Sequence, residues 1–227
     1  MRVIAILGLC LAMIPSNPPV QTYGALRNMM HSGDISAKVY LNELDHKNLY
    51  ALGAVADLKG EIIVMDGAIS VSSEKLGTVI IDHTYDHAAT LLVSSKVSKW
   101  DSLPVVGPLE KIIEAAAREH ELDTEEPFPF MLKGDFESIQ WHVINWPEGE
   151  TEHTHAKHKT SGPHGELRDA EAEVLGFFSK HHQGIFTHHS TYLHMHFVSK
   201  SGELAGHVDH LIPGDETWLY LPQREGD

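Results

Sequence analysis

Three histidines in one short alternating segment are the residues of this chain best placed to do chemistry. Residues 192–209 carry His194, His196 and His207. Side chains two apart on a strand share a face, so His194 and His196 point the same way. Lys200-Ser201-Gly202 supplies a turn between two runs of β-forming residues. A hairpin folded symmetrically about Lys200 and Ser201 puts His207 directly opposite His194 and diagonal to His196. Opposed Cβ atoms lie about 4.5–5.5 Å apart and diagonal ones about 7–8 Å. Imidazoles on that frame can converge on one ion at roughly 2.0–2.1 Å, the zinc–nitrogen distance, and three of them leave a coordination position open for a substrate. The competing reading is a histidine-rich surface strand without chemistry, because the chain has 18 His among 227 residues.

The rest of the composition narrows the function classes. A formal charge of -15 argues against nucleic acid or anionic membrane surfaces as partners. A hydrophobic content of 42% in regular runs is that of a folded globular chain, long enough to bury a substantial core. Residues 1–14 place one positive charge before an apolar run that ends at Pro15, too short to span a bilayer but suited to a secretory leader. The expectation is therefore an exported protein, with residues 1–19 as leader and 20–227 as one domain of two packed subdomains that meet near 130–150. Cys10, the single cysteine, falls in the leader, so the mature chain would have no disulfide or thiol chemistry.

The elements that must position the histidines follow from periodicity. Leu26, Met29 and Met30 give a helical face within residues 23–31, and residues 52–60 read as a strand and turn. Residues 61–67 and 68–72 form a hairpin joined through Asp66-Gly67, which is turn chemistry and not a site. Residues 78–82 and 89–93 are short strands. Leu109, Ile112, Ile113 and Ala116 predict a helix over 109–120. Residues 127–132, 138–144 and 174–179 read as strands. Between them, residues 148–168 look like a polar loop holding His153, His155, His158 and His164 in solvent, where stray metal would bind. Many strands around few helices imply a mixed, mostly β architecture.

With these segments in order, the chain resembles bacterial α-acetolactate decarboxylases. The family's metal hairpin, His-x-His-Phe followed by Gly-His-Val, is present as His194-Met-His-Phe197 and Gly206-His-Val208. A second family signature matches Leu58-Lys-Gly-Glu-Ile-Ile-Val-Met-Asp-Gly67, and Glu173-Val-Leu-Gly-Phe-Phe178 is similar to the strand before the metal hairpin. Three departures mark a divergent member. His142 stands where the family has its catalytic arginine, Ala54 replaces a threonine, and the C-terminal segment that brings another glutamate near the metal finds no match before Asp227.

The resemblance implies an α/β (mixed α+β) fold: an N-terminal mixed sheet with helices, then a smaller β-barrel-like half carrying the metal hairpin. It also implies a homodimer. The implied activity is decarboxylation of 2-acetolactate, a 2-hydroxy-3-oxo acid, to acetoin and carbon dioxide. One zinc ion on His194, His196 and His207 would act as Lewis acid, chelating the substrate's carbonyl and hydroxyl oxygens. Glu61 is the implied acid/base and needs a raised pKa to hold a proton near neutrality. His142 would replace the arginine less firmly, since imidazole is only partly charged at neutral pH. His188 and His189 could orient a ligand or the substrate, or be plain loop residues. Two rivals stay open: another metal-dependent lyase or hydrolase acting on a small oxo-acid, and a non-catalytic zinc-binding protein of the envelope.

Overall fold

The protein is described from a computed structural model, which covers residues 17–187 and 190–223. The expected leader lies outside the described residues up to position 16, as do Cys10, His188 and His189. Among the described residues, no helix is long and apolar enough to cross a membrane.

Two sheets make up the fold, and strand alternation explains why they face each other. The first contains β1 (Val20–Tyr23), β2 (Val39–Tyr40), β3 (Leu49–Val55), β4 (Glu61–Met65), β5 (Ala68–Lys75), β6 (Thr78–Asp82) and β7 (Ala88–Lys96). Its order is β1-β7-β3-β4-β5-β6, with β2 also on β7. The run of β3 is apolar at nearly every position because both of its faces are covered. Leu49 and Ala51 join one core, with Ile62 and Val64 of β4. Tyr50 and Leu52 join another, with Ile63 of β4 and Phe177 of the second sheet. Period two then puts Glu61 on the Ile63 face, aimed at the second sheet. The hairpin read from Asp66-Gly67 is present. Both turn residues have positive φ (50° and 76°), as a two-residue type I′ turn requires.

The second sheet contains β8 (Trp100–Pro104), β9 (Phe128–His142), β10 (His164–Phe178), β11 (Leu193–Ser199), β12 (Ala205–Pro213) and β13 (Trp218–Pro222). Ladders β9–β10, β10–β11, β11–β12 and β12–β9 run round in a cycle, while β13 and β8 continue from the part of the β12-side edge of β9 that β12 does not cover. This half is a sheet curled on itself, and because β13 and β8 lie outside the cycle the six strands do not make one closed barrel. Gly134 makes the divided edge possible. It sits between the stretch of β9 paired with β13 and the stretch paired with β12, at φ 133°, and a Cβ there would fall 2.2 Å from the Glu216 carbonyl oxygen. Every ladder named in both sheets is antiparallel.

Helices are few, so the fold is mixed α+β weighted strongly to strand. α1 (Leu26–Ser32) buries Met29 beside Ala54 and Leu91. α2 (Leu109–Glu119) buries Ile113, Ala116 and Ala117 into the core inside the curl, against Phe128, Phe130 and Phe136. α3 (His155–Thr160) starts at Thr154, whose hydroxyl accepts the Lys157 N–H at 3.2 Å. Sheet membership changes between Lys96 and Trp100, whereas residues 130–150, where the sequence places a subdomain boundary, span β9 and the connection after it.

Two expectations are corrected. Residues 148–168 are not a loop: they hold α3 and the start of β10. That end of β10 pairs only with β9 and is largely exposed, so its polarity is that of a solvated strand. The metal hairpin turns one residue later than expected, about Ser201 and Gly202, which shifts the pairing by two; its connection spans 200–204, closed by the Ser199 N–H donating to the Leu204 carbonyl at 2.8 Å. His207 therefore lies opposite His196, not His194. A slip of one residue would have sent His207 to the other face; a slip of two keeps it on the same one.

Candidate metal centre and active site

The histidines form a row across three strands. His196 on β11 opposes His207 on β12, and His207 opposes His142 on β9. Directly opposed residues share a face, so these side chains and that of His194 point together toward the first sheet. All four are buried. The rings of His194, His196 and His207 form a nearly equilateral triangle, with centroids 5.1, 5.1 and 5.2 Å apart. One ligand atom from each lies within 4.8 Å of the others.

This donor set fits a zinc ion. His207 Nδ1 and His196 Nε2 are 3.3 Å apart. Two nitrogens at zinc–nitrogen distance and tetrahedral angle sit about 3.3–3.4 Å apart, so that pair is already at ligand spacing. Burial, helped by the charge of nearby His142 and opposed by the Ile62 carbonyl, lowers the His196 pKa to about 3. The ring is therefore neutral at physiological pH, the form that coordinates metal.

Glu61 reaches this cluster from β4. Its Oε1 accepts the Ile144 N–H at 3.2 Å, and its two oxygens lie 3.9 Å from His142 Nε2 and 3.6 Å from His196 Nε2. Burial drives its pKa well above the ordinary carboxylate range. The Ile144 N–H opposes the shift and the Asp209 charge adds to it. Burial of this kind favours the protonated carboxyl, the form that can give a proton up to a substrate. Glu61, His142, His194 and His207 line one cavity of about 60 Å³ together with Ala54 and His155.

Two features escaped the sequence reading. The first is Asp209, whose carboxylate is 3.1 Å from His142 Nδ1 and 3.2 Å from Lys159 Nζ. Burial raises its pKa, but the hydrogen bond from His142 and the charges of His142 and Lys159 outweigh this and hold it below the usual value. Alternation along β12 puts Asp209 on the face of His207, a signal that was available. The second is the group of histidines expected in solvent. His158 is buried and edge-on to Trp146, His153 stacks on the same indole at 4.5 Å, and the two rings are 3.0 Å apart through Nδ1 and Nε2. His155 lines the cavity, where burial and then the Lys159 charge lower its pKa. The correction has a physical cause: Trp146 is an apolar platform that makes this segment pack down. His164, opposite His142 on the far edge of β9, is exposed as expected.

The model of the alpha-acetolactate decarboxylase family matches residues 21–217, nearly the whole described chain. The chain belongs to this family. Solved structures agree in fold. An alpha-acetolactate decarboxylase from Bacillus subtilis strain 168 superposes with a TM-score of 0.73 at 15% identity, covering 90% of this chain and 85% of that one. One from Bacillus subtilis subspecies spizizenii gives 0.74 at 15% identity, covering 90% and 86%. A Staphylococcus aureus protein of unknown function, described as similar to alpha-acetolactate decarboxylase, gives 0.70 at 18% identity, covering 91% and 86%. No curated protein gives a significant match. Within the family fold, both departures in this chain's motifs, Ala54 and His142, fall on the wall of the cavity that Glu61 shares with His194 and His207.

Proposed function

We propose that this chain is a zinc-dependent carboxy-lyase that converts 2-acetolactate to acetoin and carbon dioxide. The observation that carries the reading is the convergence of Glu61 from one sheet on the buried group His194, His196 and His207 of the other, beside a cavity that Glu61, His194 and His207 line, inside this family's fold. His194, His196 and His207 would hold the zinc, which would supply a Lewis acid for the substrate oxygens. The chain's own residues handle the proton. When the bond to the carboxylate breaks, its electron pair stays with the substrate and carbon dioxide leaves, so the carbon must gain a proton. Glu61, whose burial favours the protonated carboxyl, delivers one and then recovers another from solvent. His142 faces Glu61 and takes the arginine's place beside the substrate oxygens. Met29, Leu58, Leu91 and Ile144 keep that wall of the cavity apolar, which favours the neutral carboxyl. The reading includes export, supported by the apolar N-terminal segment, and a homodimer, supported by the family resemblance.

A second reading, a lyase or hydrolase for another small oxo-acid, has the Ala54 and His142 departures in its favour. The envelope zinc-binding alternative has less support. Among the described residues, no group of three candidate ligands lies within residues 150–165.

The test is acetoin formation from racemic acetolactate by the zinc-loaded wild type, His194→Ala and Glu61→Gln. The wild type should exceed the spontaneous rate. His194→Ala should lose both metal and turnover, and Glu61→Gln should keep its zinc while turnover falls about 10²–10⁴-fold. Wild-type protein with one zinc per chain and no acetoin above background would reject the assignment.

A further inference from the structure

We propose that Asp209 is a positioning residue, fixing the ring of His142 so that Nδ1 carries the proton and Nε2 is presented to Glu61 and the cavity. What His142 then does for the substrate rests on the functional reading above; the orientation itself does not. An arginine at this position would present donors whichever way its planar fork turned. An imidazole presents different atoms depending on ring flip and tautomer, and these are set by the hydrogen bond its other nitrogen makes. A histidine in the arginine's place therefore needs a partner behind it.

That partner is built into β12. The β12–β9 register passes from Val208 opposite Trp141 to His210 opposite Gln140, which leaves Asp209 as an extra residue in the ladder. Such bulges re-aim a side chain. Here the carboxylate lies 3.1 Å from His142 Nδ1 on the neighbouring strand, with both side chains almost wholly buried, at 6% and 7% exposure. A carboxylate only accepts hydrogen bonds, so the proton between them belongs to Nδ1. Nε2 is the nitrogen that faces Glu61, at 3.9 Å. Lys159 of α3 also contacts the carboxylate, at 3.2 Å. The three groups form a line from α3 through β12 and β9 to the cavity.

The same geometry admits one rival. His142, His207 and Asp209 offer ligand atoms within 4.8 Å of one another and could hold a second cation. The Lys159 ammonium already stands against Asp209 as its positive partner, which disfavours a further cation there.

The test is the side-chain ¹⁵N–¹H correlation spectrum of the zinc-loaded, full-length protein, with His142 assigned by comparison with His142→Gln. The wild type should show Nδ1–H on His142. In Asp209→Asn the signal should move toward the Nε2–H pattern, with zinc still at one ion per chain and kcat about 10–100-fold lower, while KM changes little. Asp209→Glu should recover part of both. Lys159→Met, away from the metal strand, should move the same signal less far, and it serves as the test if Asp209→Asn does not fold. An unchanged His142 spectrum in the folded variants would overturn the proposal. So would a wild type that binds two zinc ions and loses one in Asp209→Asn. Movement of the signal in a protein that makes no acetoin would leave the positioning role intact and remove only the functional reading.

Discussion

At the scale of single residues, the three-histidine site and its neighbour His142 must be told apart by what each holds. His207 belongs to both candidate ligand groups, whereas His142 belongs only to the one that includes Asp209. His207→Ala should therefore drop bound zinc well below one per chain, measured by elemental analysis after gel filtration, while His142→Gln should keep it. Loss of zinc in both would make His142 a ligand and redraw the centre. The sequence made His194, His196 and His207 legible because alternation along a strand survives an error in the turn. Glu61 was legible only through its family motif, since nothing in a lone glutamate at a strand start announces burial under a facing sheet. Asp209 was missed, although alternation puts it on the ligand face, because a carboxylate two residues past a ligand reads as a surface charge until that face is known to be covered. His155 and His158 were missed because their burial depends on Trp146, which lies in a different segment and gives no periodic signal.

Elements were legible where backbone chemistry is local and illegible where pairing is remote. Asp66-Gly67 specified its hairpin because few residues accept two successive positive φ values. The long β9 was split in two by its interior Gly134 and polar Asp135, since a strand that changes partners halfway along one edge looks like two strands. The β4–β5 turn gives a direct check. Gly67 lies at φ 76°, and a Cβ there would be 2.5 Å from the His46 carbonyl oxygen. Its N–H also donates to the Leu49 carbonyl at 3.0 Å, tying the turn to β3. Gly67→Ala should cost at least about 1–2 kcal/mol, the left-handed penalty for a residue with a side chain. At about 2–4 °C per kcal/mol for a chain of this size, the melting temperature should fall by several degrees. Glu61 lies at the opposite end of β4, so turnover measured well below the transition should be retained. An unchanged melting temperature would mean that the turn relaxes freely and does not fix the β4 register.

At the scale of the whole molecule, neither sheet owns the active site. The histidines and Asp209 stand on the second sheet and Glu61 on the first. The two are joined by a shared core in which Tyr50, Leu52, Ile63 and Val93 meet Met131, Leu175 and Phe177. Glu61 continues the face of Ile63 and Met65, so the cavity is an extension of that interface, and chemistry requires both sheets to hold their relative position. If the interface couples them fully, a ligand bound only by second-sheet residues must stabilise the first sheet as well. Zinc at about 100 times its dissociation constant adds about 2.7 kcal/mol to the stability of whatever unfolds with the site. Calorimetry should then show one transition, displaced upward by about 5–10 °C as a unit on zinc loading and returned by chelation. Two transitions, only the later of them sensitive to zinc, would show that the sheets fold separately. Glu61 would then be held against the histidines by contact alone, and Phe177→Ala, which should cost about 3–5 kcal/mol in a coupled core, would abolish turnover while leaving zinc bound.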